Sequence, residues 1–267
     1  MQLSLSTACL YHLPLSAVFR LAAEAGFTGV ELVMGPEAWL RGPRAVARLA
    51  SAHGLAIYSV HQSLLSWSPR GAGAGRIEDA ARFGRALGCP CVVFHDPMSL
   101  RWAEPSAQKW LRTMLACREM LDGSGARLAL ENPGMYFPRD QHSVLSQLPV
   151  LLDLARRYDL DVTFDTCHAG TAGLDMNASY DLVRERLANI HLCDLKPGDT
   201  PAPIHTLRTL FLHHQMPGEG YLPLAAFLAR IAADGYAGPV TMEISIAALR
   251  GWSSKELRAK LRQAVEF

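Results

Sequence analysis

Short apolar runs rich in β-branched residues alternate along this chain with longer segments whose apolar positions recur every three or four residues. The short runs are LSLST (3–7), GVELV (29–33), AIYSVH (56–61), CVVFHD (91–96), RLALEN (127–132), DVTFDT (161–166), NIHLCD (189–194) and PVTMEIS (239–245). Between them lie amphipathic stretches such as LSAVFRLAAEAG, AVARLASAHG, IEDAARFGRALG and LAAFLARIAADG. The first three end in the glycine expected after a helix C-terminus, and the last ends in Asp234-Gly235. Eight strand–helix units in about 250 residues predict a (β/α)8 barrel and a single domain over 1–267. The rival, an open doubly wound sheet, needs a glycine-rich phosphate turn at a strand end. Neither GxGxxG nor GxxxxGKS/T stands at one, and the AGAG of 72–75 lies in a polar loop.

A barrel brings all strand C-termini to one mouth, so residues far apart in sequence converge there. The predicted ends of strands three to eight all carry metal-ligand residue types: His61; His95; Glu131; Asp165 with His168; His191 with Asp194; and Glu243. Each alone has an ordinary use, since a histidine beside an apolar run packs and a strand-end carboxylate caps a helix or anchors a loop. Repetition at six successive ends is the signal. Clustered buried carboxylates need compensating charge, which a divalent cation supplies. His213 and His214 precede MPGEG, a turn that puts at least one of the pair at the same mouth. His12, His53, His142 and His205 lack that context and are expected on the surface or in packing. Cys167 and Cys193 are expected to pack. A Cys167–His168 nucleophile is disfavoured, because adjacent side chains seldom face each other and two glutamates go unused.

Composition narrows the partners. With 267 residues, 49% of them hydrophobic and 19% charged, the chain can bury a sizeable core. The net charge of +1 gives no general pull toward nucleic acid or an anionic membrane. No apolar run reaches membrane-spanning length and the N-terminus lacks the basic and apolar regions of a secretory signal, so a cytoplasmic location is expected. Apart from Cys89-Pro90-Cys91 the cysteines are scattered without a CxxC pair, which predicts reduced, buried thiols.

ALEN (129–132), FDTCHAG (164–170), NIHLCD (189–194), HQMPGEGYLPL (214–224) and GYAGPVTMEIS (235–245) together resemble the xylose isomerase-like barrel enzymes. That superfamily includes sugar isomerases and epimerases and also endonuclease IV-type AP endonucleases. The resemblance implies a central metal site of Glu131, Asp165, His191 and Glu243 for Mn, Mg, Co or Zn. It also implies a metal-stabilised enediolate formed from a carbohydrate substrate. Glu131 and Glu243 would move the protons and His168 would bind a substrate hydroxyl.

The endonuclease branch implies more metal. There His61 and His95 join Glu131 on a second zinc, and His168 with His214 enter a third, whose carboxylate position is Leu212 in this chain. Leucine cannot ligate zinc. Arg41, Arg44, Arg70 and Arg76 are candidate phosphate contacts under that reading, and only it brings in nucleic acid; Arg70 or Lys196 alternatively meets a single substrate phosphate. Tyr136 or Phe137, in NPGMYFPRD (132–140), is expected to cover a sugar ring. The expected function is thus a sugar, sugar phosphate or polyol isomerase or epimerase. The alternatives are phosphodiester hydrolysis at abasic sites and a non-catalytic sugar-binding barrel. A homo-oligomer is compatible with each.

Overall fold

The eight predicted runs form eight strands. In a computed structural model, which describes residues 1–65, 68–198, 200, 204–251 and 253–267, these are β1 (Gln2–Ser6), β2 (Gly29–Val33), β3 (Ala56–His61), β4 (Cys91–Phe94), β5 (Arg127–Glu131), β6 (Asp161–Asp165), β7 (Leu187–Leu192) and β8 (Pro239–Met242). They close in sequence order into a parallel barrel, β8 pairing with β1. The helices are α1 (Leu15–Ala25), α2 (Pro36–Ala52), α3 (Gly75–Leu87), α4 (Pro105–Leu121), α5 (Leu148–Tyr158), α6 (Thr166–Thr171), α7 (Met176–Val183), α8 (His205–Phe211), α9 (Leu224–Ala233), α10 (Ile246–Leu249) and α11 (Ser254–Glu266). None of the described helices is long and apolar enough to cross a membrane.

Helix endings follow the predicted chemistry. Gly26 and Gly88 adopt left-handed conformations (φ 105° and 65°), and their N–H groups close the last turns of α1 and α3. The stretch AVARLASAHG is the second half of α2, which kinks at Gly42 just ahead of Pro43.

Strand alternation sorts the side chains. Leu5, Val30, Leu32, Val60, Phe94, Phe164 and Ile190 point out and form the main core with the helices. The alternate residues Ser4, Ser6, Glu31, Ser59, Thr163, Asn189, His191 and Thr241 are fully buried and polar. Bonds between β2 and β7, which are not neighbours in the sheet, show that this second set fills the barrel interior. Apolar Cys91, Val93 and Ala129 form a separate small cluster. The interior therefore carries a polar layer where barrels commonly stack branched aliphatics, and that layer leads up to the mouth.

All six cysteines are buried and free.

Candidate metal centre

β5, β6 and β7 deliver Glu131, Asp165 and His191 at or near their C-terminal ends, and Glu243 is the first residue beyond β8. One ligand atom from each lies within 4.8 Å of the others. His191 is fixed from below: its Nε2–H donates to Glu31 Oε2 at 3.0 Å. Glu31 itself is held by Ser59 and Asn189. That bond leaves the Nδ1 of His191 as a buried lone pair without a hydrogen-bond partner. It faces Glu243 Oε2 at 2.9 Å, Glu131 Oε1 at 3.5 Å and Asp165 Oδ2 at 3.8 Å. A lone pair surrounded by carboxylate oxygens requires a proton or a cation between them. Burial alone would lower the His191 pKa, but Glu31, Glu243 and Glu131 outweigh it and raise it well above the ordinary value. The same donor set, three carboxylates and one imidazole with a carboxylate behind it, suits a divalent cation.

A second set shares Glu131. His61, at the end of β3, donates Nδ1–H to the Gln62 carbonyl at 2.6 Å, so its Nε2 is an acceptor. That nitrogen lies 3.1 Å from His95 Nε2 and 3.3 Å from Glu131 Oε2, while His95 Nε2 lies 3.1 Å from the same oxygen. Burial would raise the Glu131 pKa; the surrounding histidines, His191 and His95 foremost, hold it well below the usual carboxylate range.

His168 stands differently. Its Nδ1 meets the Asn132 carbonyl at 2.9 Å and its Nε2 the Tyr136 hydroxyl at 2.8 Å, so both ring nitrogens already have partners. Asp165 caps α6 by accepting from His168 N–H at 2.6 Å. Asn132, which the strand-end reading passed over, clamps β5 to β6 by bonding both backbone groups of Asp165. His214 faces the centre, 3.9 Å from Glu243 Oε2, with a left-handed backbone (φ 49°). His213 packs on Tyr136 instead.

Several expectations need correction. Asp194 is no ligand: its carboxylate accepts the N–H groups of Leu195, Gly218, Gly220 and Leu222 at 2.8–3.1 Å. It anchors the Gly218-Glu219-Gly220 turn. A Cβ at Gly220 would come within 2.2 Å of Asp194 Oδ1 and 2.4 Å of the Leu195 carbonyl. Gly220→Ala is therefore expected to cost about 2 kcal/mol or more, read as a lower denaturant midpoint at unchanged m-value; an unchanged midpoint would contradict this anchoring.

Cys193 does more than pack. It follows β7, where strict alternation ends, and its Sγ lies 3.6 Å from Asp165 Oδ2 and 3.4 Å from His214 Nδ1. Asp165, Cys193 and His214 form a third group of potential ligands. His205, by contrast, is exposed and packs against the Tyr136 ring as expected, and it also lines the cavity. Tyr136 lines it too, whereas Phe137 lies under Arg139 and Arg208. Neither Arg70 nor Lys196 faces the cavity; they pair with Asp79 and Glu219. Arg41 pairs with Glu37.

Above these groups opens a cavity of about 730 Å³, which Glu131, Glu243, His95, His168 and His214 all line.

The family model described as xylose isomerase-like TIM barrel matches residues 19–267. The chain belongs to this family. An uncharacterised protein of Mycobacterium leprae (strain TN) is 29% identical over 289 aligned positions, covering 100% of this chain and 96% of the relative. A xylose isomerase domain protein from Alicyclobacillus acidocaldarius shares the barrel at a TM-score of 0.74 and 22% identity, covering 100% of this chain and 97% of that one. A 3-keto-D-glucoside 4-epimerase from E. coli does so at 0.71 and 16%, covering both chains in full. Other solved structures with a similar fold are a D-tagatose 3-epimerase-like protein, a D-psicose 3-epimerase, a probable 3-DHS dehydratase and an AP endonuclease family 2 protein. At such identities the likeness is one of fold.

Proposed function

We propose that this barrel is a divalent-metal-dependent isomerase or epimerase of a small carbohydrate or polyol derivative. Glu131, Asp165, His191 and Glu243 hold the cation. One observation carries the reading: the unpartnered Nδ1 of His191 lies between Glu131 and Glu243, and both carboxylates also face the cavity. When bound, a Mn, Mg, Co or Zn ion polarises a substrate carbonyl and so lowers the cost of removing the neighbouring proton.

The chain's own residues do the rest. Glu131 and Glu243 rise from strands three places apart around an eight-strand ring, so they reach the floor from well-separated directions. One takes a proton from the substrate carbon and the other returns it on the opposite face. His168 keeps Nδ1 on the Asn132 carbonyl and hydrogen-bonds a substrate hydroxyl through Nε2 when that hydroxyl takes the place of the Tyr136 hydroxyl. Similarity in fold to a 3-keto-D-glucoside 4-epimerase and to a D-psicose 3-epimerase with D-tagatose supports a carbohydrate.

The test is solvent exchange. Protein loaded with Mn²⁺ in D₂O is expected to exchange one C–H proton beside the carbonyl in a panel of ketoses and keto-glycosides, followed by NMR. No exchange on any of them, together with nicking of an abasic-site oligonucleotide, would replace this reading by phosphodiester hydrolysis.

That second reading is favoured by the His61–His95–Glu131 set, which a single-ion isomerase does not use. It is weakened by the basic residues: Arg41 and Arg70 are paired with acids, and Arg76 bonds loop carbonyls. Elemental analysis of protein purified without chelator separates the two, about one ion per chain against two or three zinc.

Glu31 has a part in the same proposal. Glu31→Gln keeps the shape but weakens the charge behind His191, and about tenfold weaker Mn²⁺ binding is expected in competition with a chelator. Unchanged affinity would place His191 outside the ligand set.

A further inference from the structure

The cavity over the candidate centre is larger and less polar than a free sugar requires. At about 30 Å³ per water-sized group, its 730 Å³ has room for roughly two dozen such groups, about twice what a hexose brings. Its floor is polar. Its outer wall is built from Tyr11, Leu64, Ile77, Met98 and Ile246. These come from the segments after β1, β3, β4 and β8 and from the first turn of α3.

Four of the five remain substantially exposed: Tyr11 42%, Leu64 41%, Met98 58% and Ile246 40%. Single exposed apolar side chains are ordinary. Convergence of several around the rim of one cavity, above a polar floor, marks a surface that binding removes from water. Two of them are also held in place. The Tyr11 hydroxyl donates to the Met34 carbonyl at 3.1 Å. Met98 sits in a left-handed conformation (φ 49°), its N–H donating to Asp96 Oδ2 at 3.1 Å.

Charge argues against an anionic tail. Among the described lining residues the permanent cations are Arg76 and Lys109. Arg76 gives Nε and one terminal nitrogen to the carbonyls of Gly73, Ser63 and Leu65. One lysine is left, where phosphate recognition draws on several convergent donors.

We propose that the substrate class is a keto sugar glycoside with an apolar aryl or alkyl aglycone, its ring ketone supplying the carbonyl that the closed anomeric centre does not. Its sugar meets the polar floor and its aglycone lies within the apolar rim, to which Tyr11 and Ile246 contribute from one side and Met98 from the other. The sugar half rests on the carbohydrate reading above; the aglycone half rests on the wall alone.

Calorimetric titration of Mn²⁺-loaded protein with methyl, phenyl and octyl β-D-glucopyranoside tests it. The phenyl glucoside is expected to bind at least about tenfold tighter than the methyl one, and the octyl glucoside tighter than methyl as well. A Met98→Ser/Ile246→Ser double variant is expected to lose most of that preference while its affinity for the methyl glucoside stays the same. Both side chains are exposed, so the core is spared. Equal affinity for methyl and phenyl, no binding of the phenyl glucoside, or a preference that survives the double variant overturns the proposal. Solvent exchange on keto sugars reports on the floor and these ratios report on the wall. Exchange without aryl preference removes only the aglycone, and aryl preference without exchange removes only the isomerase reading.

Discussion

With the ion and the reaction as proposed, a Glu131→Gln variant is expected to keep the barrel but to lose divalent-ion binding and at least about a thousandfold in turnover. The size follows from the number of partners one carboxylate serves. Oε1 lies 3.1 Å from His168 Nδ1 and 3.5 Å from His191 Nδ1, and Oε2 lies 3.3 Å from His61 and 3.1 Å from His95. An amide fills the same volume, so no cavity opens and the fold has no reason to fail. It carries no negative charge, and one of its ends presents N–H groups where oxygen is needed. Four imidazoles then face a neutral group, and the donor set drops from three carboxylates to two. Circular dichroism, elemental analysis and product formation measure the three consequences separately. Retained metal with retained turnover would remove Glu131 from the centre altogether.

That centre was legible in the sequence where position alone decides. His61, Glu131, Asp165 and His191 occupy the C-terminal part of their strands, and in a closed parallel barrel that placement suffices to bring them together. Glu31 escaped because it lies inside GVELV and not at its end. A lone carboxylate within an otherwise apolar run was nonetheless a signal, since a group so placed is fully buried and must find donors.

Asp194 misled for the opposite reason. It has the residue type and strand-end position of a ligand, but what it accepts is decided by the turn around Gly218 and Gly220, about 25 residues on. The approach of Cys193 to Asp165 and the place of His205 at the cavity share a cause. Beyond the strand ends the chain leaves the period-two frame, and α8 folds back over the mouth by tertiary packing that no local pattern encodes. Pairing of Arg70 with Asp79 and of Lys196 with Glu219 is likewise a tertiary outcome, and it removes two basic residues that looked free for phosphate.

Glu243→Gln separates proton transfer from binding. In the wild type, burial would raise the Glu243 carboxyl pKa, but His191 and His214 outweigh it and hold it well below the usual range, so the group is an ionised acceptor. Glutamine keeps its length and cannot take a proton from carbon. Product formation under saturating Mn²⁺ is expected to fall about a thousandfold or more, with sugar affinity changed only a few-fold. The proposed pair of bases on separate sides has a sharper consequence. Offered one epimer in D₂O, the variant is expected still to exchange the substrate proton through Glu131 while returning it to the same face; offered the other epimer, it is expected to do nothing. Loss of exchange from both epimers would assign all proton transfer to Glu243. Undiminished product formation would exclude Glu243 as a base, because a neutral amide has no means of removing the proton that epimerisation must move.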